Sequence, residues 1–296
     1  MPSLLLPRQT ADSTFFGVLD LASDADLFLQ GVLCAQFAHY VNANGRDSWL
    51  MKLFVAGLAL LTTLKTAQIL AIRWIQNVRL FENLEAISNL WHTQWISEPT
   101  ILLEAIITFY VQVFFCHRLW TLSHNVYVVV VAMILFIFAL AAASAATYFF
   151  THIPLSTIWI AVHLVVAMGG YLLQTGSIVF YLLRHTKTVL HCGPTASILN
   201  SLLRLTIQSA APGTVCALIN FASTIVTVRL HPATLSGLSA PLVVAAVSNV
   251  MLPKLYAVAA MWTLNSREEI RSAAAINVRI LTLERRRSIT KDNVVH

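Results

Sequence analysis

From Val126 to Phe149 the chain contains no Asp, Glu, Lys or Arg. Wound as a helix at about 1.5 Å per residue, a segment of this length reaches roughly 36 Å. That exceeds the roughly 30 Å hydrocarbon core of a bilayer. A surface helix of a soluble domain needs a polar face toward water, and this segment has none. The chain is built for lipid. Composition agrees: 57% of the 296 residues are hydrophobic and 11% charged, where a soluble chain carries roughly 25% charged residues. The mean hydropathy is +0.73.

Six further segments are long enough to cross: Leu21 to Val41, Trp49 to Trp74, Ser97 to Trp120, Leu155 to Leu183, Leu202 to Leu230 and Pro241 to Leu264. The first is the least apolar and has Asp24 and Asp26 at its outer end. The expected fold is an all-α integral membrane bundle of seven helices. Residues 1–20 form an extracellular segment, 21–264 the seven-helix domain, and 265–296 a basic cytosolic tail.

Orientation comes from Lys and Arg, which accumulate on the cytosolic side. With the N-terminus outside, the inner face receives Arg46, Lys52, Arg118, Arg184, Lys187, Arg204 and the cations of the tail. The outer face receives Arg8, Arg73, Arg79 and Arg229. The N-terminus is therefore placed outside and the C-terminus in the cytosol. Trp49, Trp74, Trp91, Trp95, Trp120, Trp159 and Trp262 all fall near proposed span ends, where indole rings favour the headgroup boundary. Between Ile75 and Ile96, Leu80, Leu84, Ile87 and Trp91 recur at helical spacing, which predicts a short amphipathic helix on the outer surface or a cap over a bundle cavity.

Ionisable groups at membrane depth cost roughly 2.5–3.5 kcal/mol each on insertion scales, so each one asks for a purpose. Lys65, Glu104 and Lys254 are such groups. Lys65 lies roughly 13 Å below Trp74 and Glu104 roughly 10 Å below Ser97, counted along their helices. They share a depth on sequential helices, and an ion pair between them is expected, either as a packing device or as a ligand or proton site. Lys254 lies about 15 Å from the inner end of the seventh helix, too deep for its ammonium to reach water. No acidic residue is evident at its depth, so Asn249, Ser248 or a facing carbonyl is the expected partner. Tyr256 follows Pro253-Lys254-Leu255 and completes a candidate ligand-binding set of Lys65, Glu104, Lys254, Tyr256 and Asn249. His163 reads as a satisfied core histidine. Gly169-Gly170, Gly176 and Pro212-Gly213 permit close helix approach, and Pro212 can kink the sixth helix.

Other chemistries lack their residues. The net charge of +6 comes with no basic stripe or aromatic–basic alternation, so no nucleic-acid partner is expected. Ser, His and acidic residues do not cluster as a hydrolase triad, and no Gly-rich phosphate cradle occurs. His185, His191 and Cys192 match no metal-ligand spacing. Neither cofactor nor metal is expected, and Cys34, Cys116, Cys192 and Cys216 do not form a disulfide framework. Cys116-His117-Arg118 ends the third helix with a cation, but without the acidic partner or the outer disulfide of rhodopsin-like receptors.

Gly31-Val32-Leu33-Cys34-Ala35-Gln36, then Arg46-Asp47 and Trp49-Leu50-Met51-Lys52, resemble the first two helices of a fungal, mainly basidiomycete, seven-helix membrane family. Val111 to Trp120, with its Cys116-His117-Arg118, is similar to the end of that family's third helix. Phe180-Tyr181-Leu182-Leu183-Arg184 with Lys187-Thr188, and Lys254-Leu255-Tyr256 leading into Leu264-Asn265-Ser266-Arg267, resemble its C-terminal half, a domain of unknown function. The likeness runs from about residue 30 to 267. Members often carry Asp and a following His in the second helix, where this chain has Thr63 and Thr66 or Lys65. Many also carry an Asp near the position of Tyr171 and another near Ala196. The resemblance implies topology and a fungal setting, and it implies no activity.

Three functional classes are compatible with these residues. The leading one is a receptor-like sensor or small-molecule-binding bundle that lies in the lipid bilayer and takes a small apolar ligand between its helices. The second is a membrane-embedded enzyme or accessory protein of specialised metabolism, with Glu104 as its acid. The third is a small-molecule transporter, which fits less well because no repeated halves or paired broken helices are visible.

Overall fold

A computed structural model of the chain describes residues 6–43, 47–79, 99–150, 152–189, 212–226, 241 and 243–266. Among these residues the chain forms seven helices and no strand. They are α1 (Leu6–Ala43), α2 (Trp49–Trp74), α3 (Thr100–Ser123), α4 (Val126–Tyr148), α5 (Ile153–Val189), α6 (Pro212–Val226) and α7 (Val243–Ser266). A π-helical turn, Ile75–Arg79, continues α2. Five helices are long and apolar enough to cross a membrane: α2 with its π turn, α3, α4, α5 and α7. In α1, Asp24, Asp26, Gln30 and Gln36 dilute the hydropathy. α1 also starts well before the Leu21 expected from hydropathy, because helix formation does not need an apolar side chain at every turn. The surface helix expected over Leu80 to Trp91, any kink ahead of Pro212, the loop with His191 and Cys192, and the tail after Ser266 lie outside the described residues.

Tight connections set neighbouring helices antiparallel. α3 ends at His124, whose left-handed φ of 50° is a conformation His enters more readily than most residues. Its N–H closes on the Trp120 carbonyl at 2.9 Å. The next residue, Asn125, caps α4 by accepting the Tyr127 N–H at 3.1 Å, which satisfies one orphan donor of the new helix. Ser156 then ties α5 to the end of α4 by donating to the Ala146 carbonyl at 3.0 Å.

α4 is apolar on every side, so its orientation is decided by size. Ala132, Phe136, Ala139, Ala143 and Ala146 form a buried stripe at helical spacing, while Ile134, Ile137 and Phe138 face outward. Small side chains let α5 approach closely, and Phe136 lies against Gly170, where a Cβ would collide with its ring. The same device joins α2 to α3: a Cβ at Gly57 would collide with the Tyr110 hydroxyl, which donates to the Phe54 carbonyl at 3.2 Å.

The bundle is polar within and apolar without. Leu53, Leu60, Ile134, Ile158, Leu172 and Val215 are exposed, whereas Asp26, Lys65, Glu104, Gln112, Gln174 and Lys254 are buried. Water would favour the reverse, and lipid favours this arrangement. α7 sits at the centre, with Leu252, Tyr256, Ala257, Ala260, Met261 and Leu264 in the core. Trp49 opens α2, Trp74 closes it, Trp120 and Trp262 lie at or beside the last turns of α3 and α7, and Trp159 lies in the second turn of α5.

Candidate functional site: a buried ion network beside a cavity

Lys65 and Lys254 are the two largest fully buried side chains among the described residues. Each ammonium carries three donors that must all be met away from water. Lys254 Nζ donates to Asp26 Oδ2 at 2.6 Å, to the Asp26 carbonyl at 3.1 Å and to Thr66 Oγ1 at 2.6 Å. The expectation that no acid lies at its depth is thus corrected. Depth reckoned from the onset of hydropathy at Leu21 puts Asp26 near the surface, but α1 begins at Leu6 and carries Asp26 into the bundle, fully buried. A carbonyl does bind Lys254, as expected, but it belongs to α1. Asn249 pairs instead with Glu104 and Asn220, and the Ser248 carbonyl accepts from Cys216 Sγ at 3.6 Å.

The ion pair expected between Lys65 and Glu104 is present, at 3.1 Å. Lys65 also donates to the Val250 carbonyl at 2.6 Å and lies 3.6 Å from Asp26 Oδ1. A backbone carbonyl has two lone pairs, so Val250 can accept from Lys65 as well as from its own helix. Glu104 Oε2 accepts Asn249 Nδ2 at 2.9 Å, and Asn249 Oδ1 accepts Asn220 Nδ2 at 3.3 Å. The chain Thr66–Lys254–Asp26–Lys65–Glu104–Asn249–Asn220 therefore links α1, α2, α3, α6 and α7. Its two cations balance its two carboxylates, the condition under which ions survive in a medium that solvates neither.

At the Glu104 end the network meets a cavity of about 120 Å³ between α3, α5, α6 and α7. Glu104, Thr108, His163, Tyr171, Asn220 and Asn249 supply its polar wall, and Ile101, Ala105, Leu164, Ala167, Met168, Ala217, Phe221 and Leu252 are among its apolar residues. His163 Nδ1 lies 2.8 Å from the Ala139 carbonyl. A carbonyl only accepts, so Nδ1 carries the proton, and the neutral ring keeps an acceptor lone pair at Nε2. The core histidine expected from the sequence is satisfied on one edge and lines the cavity as well.

Of the five residues singled out by sequence, Lys65, Glu104, Lys254 and Asn249 belong to the network, and Glu104 and Asn249 also reach the cavity. Tyr256 stands apart from the cavity wall. Its ring packs on Tyr171 with centroids 4.9 Å apart and closes over Gly213, where a Cβ would strike it. Its buried hydroxyl has no hydrogen-bond partner among the described residues. Sequence reasoning missed Asp26 and Asn220. Asp26 had a signal: Ala22, Asp26, Gln30 and Leu33 recur at helical spacing and are all buried, while Asp20 and Asp24 fall off that face. A lone Asn220 in an apolar segment carried none. Among the described residues no three His, Cys, Asp or Glu side chains come together as a metal site, and Cys34, Cys116 and Cys216 are free thiols.

Fold and site together define a multi-pass helical membrane protein with a balanced ion network in its interior. Residues 171–269 match a family of unknown function, DUF6534. That segment includes Tyr171, Asn220, Asn249 and Lys254, so the α5–α7 side of cavity and network falls within the matched region. No curated protein and no solved structure matches the chain.

Proposed function

We propose that the chain is a seven-span membrane sensor, with its N-terminus outside and its basic tail in the cytosol, that holds a small molecule between α3, α5, α6 and α7. The observation that carries this reading is the cavity whose wall includes Glu104 and Asn249, members of the ion network. An occupant touching these groups acts on four ions held by α1, α2, α3 and α7 at once. α7 extends the connection inward. Roughly 14 Å below Lys254 along the helix, Thr263 accepts Arg118 Nη1 of α3 at 3.4 Å, and Asn265 donates to the Gln36 carbonyl of α1 at 3.1 Å. A ligand shifts such an assembly only by binding one arrangement better than another, and a site on the network gives it that handle. The similarity of residues 30–267 to a fungal seven-helix family supports the count of seven spans and a fungal source.

The test has two arms. Tags on the two chain ends, probed with an impermeant reagent in sealed vesicles, should report opposite sides. Neutral small molecules screened by thermal shift on the protein in lipid nanodiscs should stabilise the native chain and lose their effect in Ala217→Leu, which fills the cavity. Equal stabilisation of both proteins would remove the cavity from the account.

One observation favours an enzyme: Glu104 faces a mainly apolar cavity, as an acid catalyst must. Both of its oxygens are held, by Lys65 and Asn249, which suits a fixed carboxylate better than a proton donor. Retention of product by Glu104→Gln in a reconstituted pathway would eliminate that reading.

A further inference from the structure

We infer that the cavity receives a neutral molecule with one hydroxyl donor on a small apolar body, and that His163 Nε2 accepts that hydroxyl. The inference rests on the reading of the cavity as a binding site and specifies the chemistry of its occupant.

Size comes first. A cavity of about 120 Å³ has room for roughly four waters, and it is slightly smaller than the roughly 150 Å³ cavities that admit benzene. The occupant is a single ring or a short branched chain. Charge comes second. Lys254, Asp26, Lys65 and Glu104 already neutralise one another, and Glu104 has no oxygen left over. A cation or anion entering the cavity would bring a charge with no counterion, the costly case at membrane depth.

Polarity comes third. Asn220 donates to Asn249 and Asn249 to Glu104, so this chain of amides runs toward the carboxylate and commits one of the two N–H groups of each amide there. Thr108 and Tyr171 bring hydroxyls, which both donate and accept, to the same wall. His163 differs: its Nδ1 proton is committed to Ala139 on α4, and the opposite edge of a neutral ring can only accept. His163 therefore asks for a donor, which a hydroxyl supplies while its oxygen accepts from the amide and hydroxyl groups beside it, and the aliphatic residues around them ask for an apolar remainder.

Three probes of one shape separate these requirements: benzyl alcohol, its apolar isostere ethylbenzene and its cationic isostere benzylamine. Binding is read on the native protein in nanodiscs by saturation-transfer NMR and thermal shift, each corrected with empty nanodiscs. Benzyl alcohol should bind about tenfold more tightly than ethylbenzene, the value of one hydrogen bond, and benzylamine should bind more weakly than either. In His163→Leu the alcohol should fall to the level of ethylbenzene, while ethylbenzene itself is retained. Equal binding of alcohol and ethylbenzene by the native protein, or tightest binding of benzylamine, overturns the inference. If ethylbenzene still binds and is lost in Ala217→Leu or Ala167→Leu, the cavity reading stands while the donor requirement falls. If no probe binds the native protein and only water occupies the cavity, both fall. The comparison of the three probes in the native protein needs no variant to fold.

Discussion

α1 and α2 are joined by ions in two places, and the two places obey different rules. Where the C-terminal end of α2 meets the middle of α1, Arg73 pairs with Asp24 and lies 3.5 Å from Asp20, to which Asn77 also donates at 3.4 Å. Asp24 is more than half exposed. Deeper in the bundle, Asp26 sits fully buried between Lys65 and Lys254. Only one residue separates Asp24 from Asp26 in sequence, yet the helix turns them onto opposite environments. Water screens the outer cluster, and each of its members can lose a partner and be rehydrated. The inner cluster has no such recourse: removal of one ion leaves the others charged in a medium that will not solvate them. Aspartates paired with cations thus serve as surface trim in one place and as a structural requirement in the other.

The contrast breaks most sharply at Asp26. Asp26→Ala leaves Lys65 and Lys254 to share Glu104 and should destabilise the folded protein by about 3–5 kcal/mol. A large fall in the temperature at which the detergent-solubilised protein survives size-exclusion chromatography would report it. Lys254→Met alone should be nearly as harmful, but Asp26→Leu combined with Lys254→Met leaves the neutral Lys65–Glu104 pair and should recover most of the loss. Simple addition of the two losses would refute the idea that charge balance, rather than either ion, is what matters.

Glu104→Gln should cost less than Asp26→Ala. Lys65 retains Asp26 and the Val250 carbonyl, and the new amide oxygen can still accept from Asn249. A loss equal to that of Asp26→Ala would place the centre of the network at the cavity instead of at α1. Gly57→Ala tests packing without charge. Its Cβ meets the Tyr110 hydroxyl, which must swing aside and give up the Phe54 carbonyl, at a cost of about 1–3 kcal/mol. The midpoint should fall accordingly, and added salt should not alter the fall. Arg73→Gln should have the smallest effect, a slight drop in midpoint that disappears as ionic strength rises. A large, salt-insensitive drop would mean that the outer cluster is not screened after all.

Much of this arrangement was legible before any coordinates. Hydropathy gave the apolar helices, and helix rise alone put Lys65 and Glu104 level with one another, because sequential antiparallel helices are neighbours. The partner of Lys254 was not legible for two physical reasons. Depth was reckoned from where the chain becomes apolar, and α1 is helical well before that point. In addition, Asp26 and Lys254 belong to α1 and α7, far apart in the sequence, whose contact is fixed by how the bundle closes and not by any local pattern. The inward face of α4 was hidden for a related cause. All of its residues are apolar, so hydropathy has no periodicity there, and only the recurrence of alanine reveals which side meets α5. His163 was half legible: its type and setting indicate a satisfied ring, but only the position of Ala139 fixes which nitrogen remains an acceptor.

The pairing of Asp26 with Lys254 also bears on how the protein is made. A chain emerging from the ribosome delivers Asp26, Lys65 and Glu104 to the bilayer long before Lys254, so a product that ends between Glu104 and Lys254 harbours one surplus anion in its interior. Arrival of α7 cancels it. Surveillance machinery that senses unsatisfied polar groups in membranes would therefore have a simple means of telling a truncated chain from a finished one.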